Sequence, residues 1–169
     1  MEWKTRLPTF DMLTLPLLQF AADGEAHPVR EAITAIADDM KLTDEQRNEM
    51  LPSGKKRTFD DRVQWANTYL KKSRLLESAG WGKFRITPRG LEVLRSNPTH
   101  INRKFLMRFP EFEEFIKGSR VTIPDDEISY LEYLQTPTDL IESAFVGIQQ
   151  DLADDLLEIV MSCSPAFFE

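Results

Sequence analysis

Residues 59–90 read FDDRVQWANTYLKKSRLLESAGWGKFRITPRG, and the pattern changes period midway. Phe59, Val63, Ala66, Tyr69 and Leu70 recur at three- and four-residue steps. That spacing predicts a helix over residues 59–73 with those side chains inward and Gln64, Asn67, Thr68, Lys71 and Lys72 on the other side. From residue 75 the pattern alternates. Residues 75–78 and 83–87 predict short strands flanking Ala79-Gly80-Trp81-Gly82, with Lys83 and Arg85 on one face and Phe84 and Ile86 on the other. Thr87-Pro88-Arg89-Gly90 opens a further helix, with Leu91 and Leu94 inward and a stop at Asn97-Pro98.

Upstream, Thr9 is placed to cap a helix carrying Phe10, Leu13, Leu17, Leu18 and Ala21 or Ala22 on one face and ending at Asp23-Gly24. Pro16 lies inside it, which predicts a kink or break. His27-Pro28 opens a second helix with Val29, Ala32, Ile33, Ile36 and Ala37 apolar. Thr43-Asp44-Glu45-Gln46 reads as a capping box into residues 47–51, before Pro52-Ser53-Gly54 breaks the chain. Helices, then a hairpin, then another helix describe a mainly α chain with a small β-hairpin wing, an α+β winged helix-turn-helix over residues 1–98.

Downstream, residues 99–136 read as a linker with short helices and an extended segment, anchored by Phe105, Leu106, Met107, Phe109, Phe112, Phe115 and Ile116. Residues 137–169 begin at Thr136-Pro137 as a long helix. Ile141, Ala144, Phe145, Ile148, Leu152, Leu156, Ile159 and Val160 line one face of it. An apolar face of that length must be covered, either by a second copy, giving a homo-oligomer through residues 137–162, or by the winged-helix body.

Charge is segregated along the chain. The net charge of −7 over 169 residues hides eleven basic side chains against four acidic ones in residues 53–95, flanked by acidic segments on both sides. A basic block inside an acidic protein asks for an anionic partner. Helix and wing together suit duplex DNA: a helix enters the major groove while cationic wing residues hold phosphates. The candidate DNA-binding residues are Lys55, Lys56 and Arg57 ahead of the helix and Gln64, Asn67, Thr68, Lys71 and Lys72 on its outward side. Lys83 and Arg85 on the wing complete the phosphate contacts. Arg62 projects toward the inward face and suits a structural ion pair or a phosphate contact. Trp81, at the wing tip, either caps the core or touches a groove, and Trp65 belongs to the edge of the core. Asp60 and Asp61 favour the helix dipole and oppose DNA at that end.

Other chemistries are poorly served. One cysteine, Cys163, and two histidines, His27 and His100, exclude a disulfide framework and make a structural metal site improbable. No apolar run reaches the roughly 20 residues of a membrane span, and residues 1–6 are too polar for a signal peptide, so the expectation is a cytoplasmic protein with no membrane partner. Pro124-Asp125 has no lysine downstream of Lys117, and Asp39-Met40-Lys41 falls within the helical pattern. No catalytic or metal-binding residue is assigned.

Arg62, Trp65-Ala66, Tyr69-Leu70-Lys71-Lys72, Leu75-Leu76, Gly82, Ile86-Thr87 and Gly90 together resemble the N-terminal domain of the Mrr family of type IV, methylation-dependent restriction proteins. Phe105-Leu106 with Phe109-Pro110-Glu111-Phe112 resembles that family's linker. Residues 151–157 resemble the helix entering its nuclease domain, and Ser164-Pro165 with Phe167-Phe168-Glu169 its opening signature. Arg74 departs from the glycine common at that helix end. The resemblance implies a DNA-binding portion that positions a nuclease, absent from this chain, on methylated duplex DNA. That nuclease would bind Mg2+ through acidic groups and a lysine, and this chain would need no cofactor. The alternatives are a winged-helix transcription factor, or a protein-interaction module, dimerised through the last helix.

Overall fold

The computed structural model describes residues 6–118 and 135–162. The elements in order are α1 (Phe10–Phe20), β1 (His27–Pro28), α2 (Val29–Asp39), α3 (Asp44–Asn48), α4 (Thr58–Lys72), β2 (Leu76–Ser78), β3 (Lys83–Ile86), α5 (Pro88–Arg95), α6 (Arg103–Leu106), α7 (Pro110–Gly118) and α8 (Pro137–Ser162). The architecture is mainly helical with a small antiparallel sheet of order β1-β3-β2. Leu76 pairs with Ile86 and Ser78 with Phe84 across the hairpin, and His27 pairs with Phe84 on the other edge of β3. The sequence pattern placed His27 and Pro28 at a helix start. They do lead into α2, with Pro28 as its N-cap, and in addition form a third strand on the free edge of β3.

The core forms where α1 crosses α4. Phe10, Leu13, Leu17 and Leu18 of α1 and Phe59, Val63, Ala66, Tyr69 and Leu70 of α4 are buried, joined by Leu75, Leu76, Phe84 and Ile86. Tyr69 is the aromatic centre, edge-on to Phe10 and Phe112, each 5.3 Å away between ring centroids. The expected break at Pro16 does not occur. The helix runs through it, because Leu13, Leu17 and Leu18 are fully buried on either side and hold the backbone helical. The missing bond is to the carbonyl of Met12, an exposed position where water can replace it. On α5 it is Val93 that is buried, with Leu91 and Leu94 packed at the core edge.

Caps and turns fix the element ends. Thr43 and Gln46 form the expected capping box, with Thr43 Oγ1 accepting from the Gln46 amide at 3.2 Å and the Thr43 amide donating back to Gln46 Oε1 at 3.0 Å. Three helices end on a residue in the left-handed region that is not glycine: Lys41 (φ 53°) after α2, Arg74 (φ 58°) after α4 and Asn97 (φ 49°) after α5. At Arg74 the Leu75 amide donates to the Leu70 carbonyl at 2.9 Å and the Arg74 amide to the Lys71 carbonyl at 3.0 Å, a closed Schellman turn made without glycine.

Residues 101–116 join the same core rather than standing off from it: Ile101, Leu106 and Phe112 are fully buried. The expected extended piece, except for Gly118 and Gln135, and the closing residues 163–169 lie outside the described residues. The long helix is present over 26 residues. Its first turn is seated on the body, and Ile141, Phe145, Ile148, Leu152, Leu156 and Ile159 are exposed beyond it.

Candidate nucleic-acid interface

The interface is organised along α4, which at about 1.5 Å per residue is about 22 Å long. Before its N-terminus, Met50 and Arg57 bridge antiparallel and the Leu51 amide donates to the Lys56 carbonyl at 2.9 Å. This tight loop displays Lys55, Lys56 and Arg57, all exposed. After α4 in the chain, the β2–β3 hairpin carries Lys83 and Arg85, also exposed. Exposed basic groups therefore precede and follow α4 in the chain.

Between them the outward strip is Gln64, Thr68 and Lys71. Gln64 is exposed and receives Lys56 Nζ at 3.4 Å. Thr68 is half-buried and its hydroxyl donates to the Gln64 carbonyl at 3.0 Å. Lys71 is half-buried, and desolvation holds its amine below the ordinary lysine range. Asn67, expected on this strip, is instead 8% exposed. It follows Ala66 and lies four residues from Val63, so it shares their buried arc. Its Oδ1 has no hydrogen-bond partner among the described residues. Lys72 is exposed, with its amine 5.0 Å above the Phe115 ring of α7.

The acidic side chains at the start of α4 do not form a repelling patch. Asp61 is 3% exposed and lies 3.4 Å from Lys56 Nζ. Asp60 is half-buried, and burial raises its carboxyl against the lowering effect of Arg57.

Arg62 takes the structural role. Its Nη1 donates to the Pro8 carbonyl at 3.0 Å and its Nε lies 3.7 Å from Asp139 Oδ2, which ties the entry to α1, the middle of α4 and the first turn of α8 together. Trp65 joins the same contact, its Nε1 donating to Thr138 Oγ1 at 2.7 Å. Trp81 is fully exposed in the turn between β2 and β3. On the hairpin, Arg85 Nε donates to Glu77 Oε1 at 2.9 Å, so this base is partly neutralised, whereas Lys83 is exposed.

Two basic residues of the block that were left out of the candidate set, Arg74 and Arg89, meet at Glu111 of α7. Arg89 Nη1 donates to Glu111 at 3.0 Å, and Arg74 Nε lies 3.6 Å from the same carboxylate. The Arg89 hydrogen bond holds the Glu111 carboxyl below the usual range. The signal for them was the charge block itself; the acidic partner, 22 and 37 residues away, was not visible as one.

Among the described residues no group of three or more His, Cys, Asp and Glu is arranged to hold a metal ion, and no helix is long and apolar enough to cross a membrane.

Residues 10–96 match the Mrr N-terminal domain family over just more than half of the chain. The chain belongs to that family. A curated protein similar to it is the type IV methyl-directed restriction enzyme EcoKMrr of Escherichia coli strain K12, 27% identical over 173 residues that cover 96% of this chain and 56% of the relative. The chain thus spans about half the length of that curated relative. No solved structure matches it. In this Mrr N-terminal domain the Thr87-to-Gly90 motif has a plain physical reason. Thr87 Oγ1 accepts from the Gly90 amide at 3.1 Å, capping α5. A Cβ on Gly90 would overlap the Leu75 carbonyl oxygen and sit 2.6 Å from Ile86 Cγ1. Only glycine lets α5 close on the base of the hairpin.

Proposed function

We propose that this chain is the DNA-binding N-terminal portion of a restriction-system protein, a winged helix-turn-helix that places a nuclease on methylated duplex DNA. The observation that carries the reading is the exposed basic loop that leads into α4 and the basic hairpin that follows it, with Gln64, Thr68 and Lys71 on the helix between them. The element order α1, β1, α2, α4, β2, β3 and the sheet order β1-β3-β2 support the winged-helix assignment. On this reading α4 enters the major groove, where Gln64 suits adenine and Lys71 suits guanine. Lys55, Lys56, Arg57 and Lys83 hold the flanking phosphates.

The methyl-directed character of the relative motivates the methylated substrate. The Mg2+-dependent cleavage belongs, on this reading, to the portion of such a protein outside the matched span, and this chain does not cut. The exposed apolar face of α8 supports self-association there, and the assignment is to a cytoplasmic protein.

The test is fluorescence anisotropy of short duplexes, unmethylated or methylated at cytosine or adenine, titrated with the full chain at two salt concentrations. Binding that weakens steeply with salt, is lost in the Lys55→Ala/Lys56→Ala/Arg57→Ala variant and is tighter for one methylated duplex is the expected result. Absence of binding at low salt would overturn it.

A further inference from the structure

Trp81 is a large apolar side chain that the fold has put where nothing covers it. It is fully exposed, whereas Trp65 is packed and hydrogen-bonded. The position is held by backbone, not by the side chain. The Lys83 amide donates to the Gly80 carbonyl at 3.2 Å, the Ala79 amide to the Lys83 carbonyl at 3.2 Å, and the Val29 amide to the Gly82 carbonyl at 3.0 Å. Gly80 (φ 116°) and Gly82 (φ 68°) occupy left-handed positions on either side of it. The tip is thus a closed turn stapled to the start of α2, and it presents one indole outward. Lys83 lies two residues on, and Arg30 follows the Val29 amide that anchors the turn; both are exposed and cationic.

Reach also fits. The four residues of β3, at about 3.3 Å each, extend about 13 Å. Neighbouring major and minor grooves on one face of a duplex are about 17 Å apart, half of one helical turn. A helix seated in the major groove would bring such a tip to the adjacent minor groove. There a flat apolar ring has a use that a lysine lacks: apolar side chains entering that groove wedge between base pairs and unstack a step.

We propose that Trp81 is a wedge, whose indole enters the minor groove beside the segment read by α4 and unstacks one base step. The inference rests on the DNA-binding reading above. It adds that the wing recognises deformability, so the chain favours a pyrimidine–purine step such as TA at that position.

The test uses the full chain and duplexes carrying 2-aminopurine, whose fluorescence rises on unstacking, scanned along the site at low salt. The wild-type chain is expected to raise the signal at one position only, more strongly when it adjoins a TA step. Trp81→Ala should abolish the rise and weaken binding about tenfold, the scale of one lost stacking partner. Trp81→Phe should retain part of both. Full exposure of the residue means that neither change perturbs folding. Binding by the wild type with no rise at any position, or a rise that survives in Trp81→Ala, overturns the wedge and leaves the DNA reading standing. Failure of the wild type to bind any duplex overturns both.

Discussion

Glu111 accepts a hydrogen bond from Arg89 Nη1 at 3.0 Å and shares its carboxylate with Arg74 Nε at 3.6 Å. An acidic residue of α7 therefore neutralises two members of the basic block, while Lys56 leans on Asp61 and Lys55, Arg57 and Lys83 are exposed. Glu111→Gln should free both arginines for phosphate. The expected result is a two- to fivefold gain (about that order) in affinity for duplex DNA at low salt, with a steeper salt dependence, read by anisotropy. An unchanged salt slope would mean that this pair serves only to dock α7.

The first turn of α8 is held by Thr136, fully buried, whose Oγ1 accepts from the Asp139 amide at 3.0 Å, and by the Trp65–Thr138 hydrogen bond. Thr138→Val removes the hydroxyl that accepts the indole N–H, and should cost about 1 kcal/mol locally. Hydrogen exchange should then accelerate in residues 137–142 while the amides of α4 keep their protection. Equal acceleration in both would show that α8 unfolds only with the body.

Burial pushes the Asp11 carboxyl up to about 6 against the lowering effect of Arg103 and His100, and its Oδ1 has no hydrogen-bond partner among the described residues. The folded value lies above the ordinary value for aspartate, so folding favours the protonated form. The sign follows: this stabilisation is full below about pH 4 and is lost as pH rises through 6. Asp11→Asn should therefore raise the melting temperature at pH 7.5 and leave it nearly unchanged at pH 4. A variant that melts lower at pH 7.5 would show that the carboxylate is paired in solution.

Arg74 closes a Schellman turn at φ 58°, and Gly90 packs where a Cβ would meet the Leu75 carbonyl. Arg74→Gly should stabilise the fold by about 1 kcal/mol by removing the left-handed strain. Gly90→Ala should destabilise it by more than that, because Leu75 is backbone and cannot move aside. Denaturant unfolding of the two variants checks both signs.

How much of this was legible in the sequence depends on whether the cause was local. The face of α4, the Thr43 capping box, the two strands of the hairpin and the helix start at Thr87 are short-range patterns, and all could be read. The strand at His27 and Pro28 could not, since two residues carry no period and only the free edge of β3 makes them a strand. Asn67 was misplaced because polarity suggested the surface while its position in the turn put it beside Ala66. At Pro16 the helix continues without a break, its backbone held by Leu13, Leu17 and Leu18. The Glu111 contact and the seat of α8 on Trp65 and Arg62 join distant segments, which no periodicity records. Trp81 was left between core and groove, and the two flanking glycines were the sign that its backbone turned outward.

From Pro137 to Ser162 the chain has six carboxylates, no basic side chain and a row of uncovered apolar ones. Like charges of one sign keep such a helix apart from its copies, and added salt weakens that repulsion while it leaves apolar attraction intact. Binding to phosphates behaves in the opposite way, since salt competes for the cations. On the proposed function, ionic strength acts in opposite senses on two parts of the chain: dilute buffer favours phosphate binding by the basic segment, and concentrated buffer favours self-association through α8.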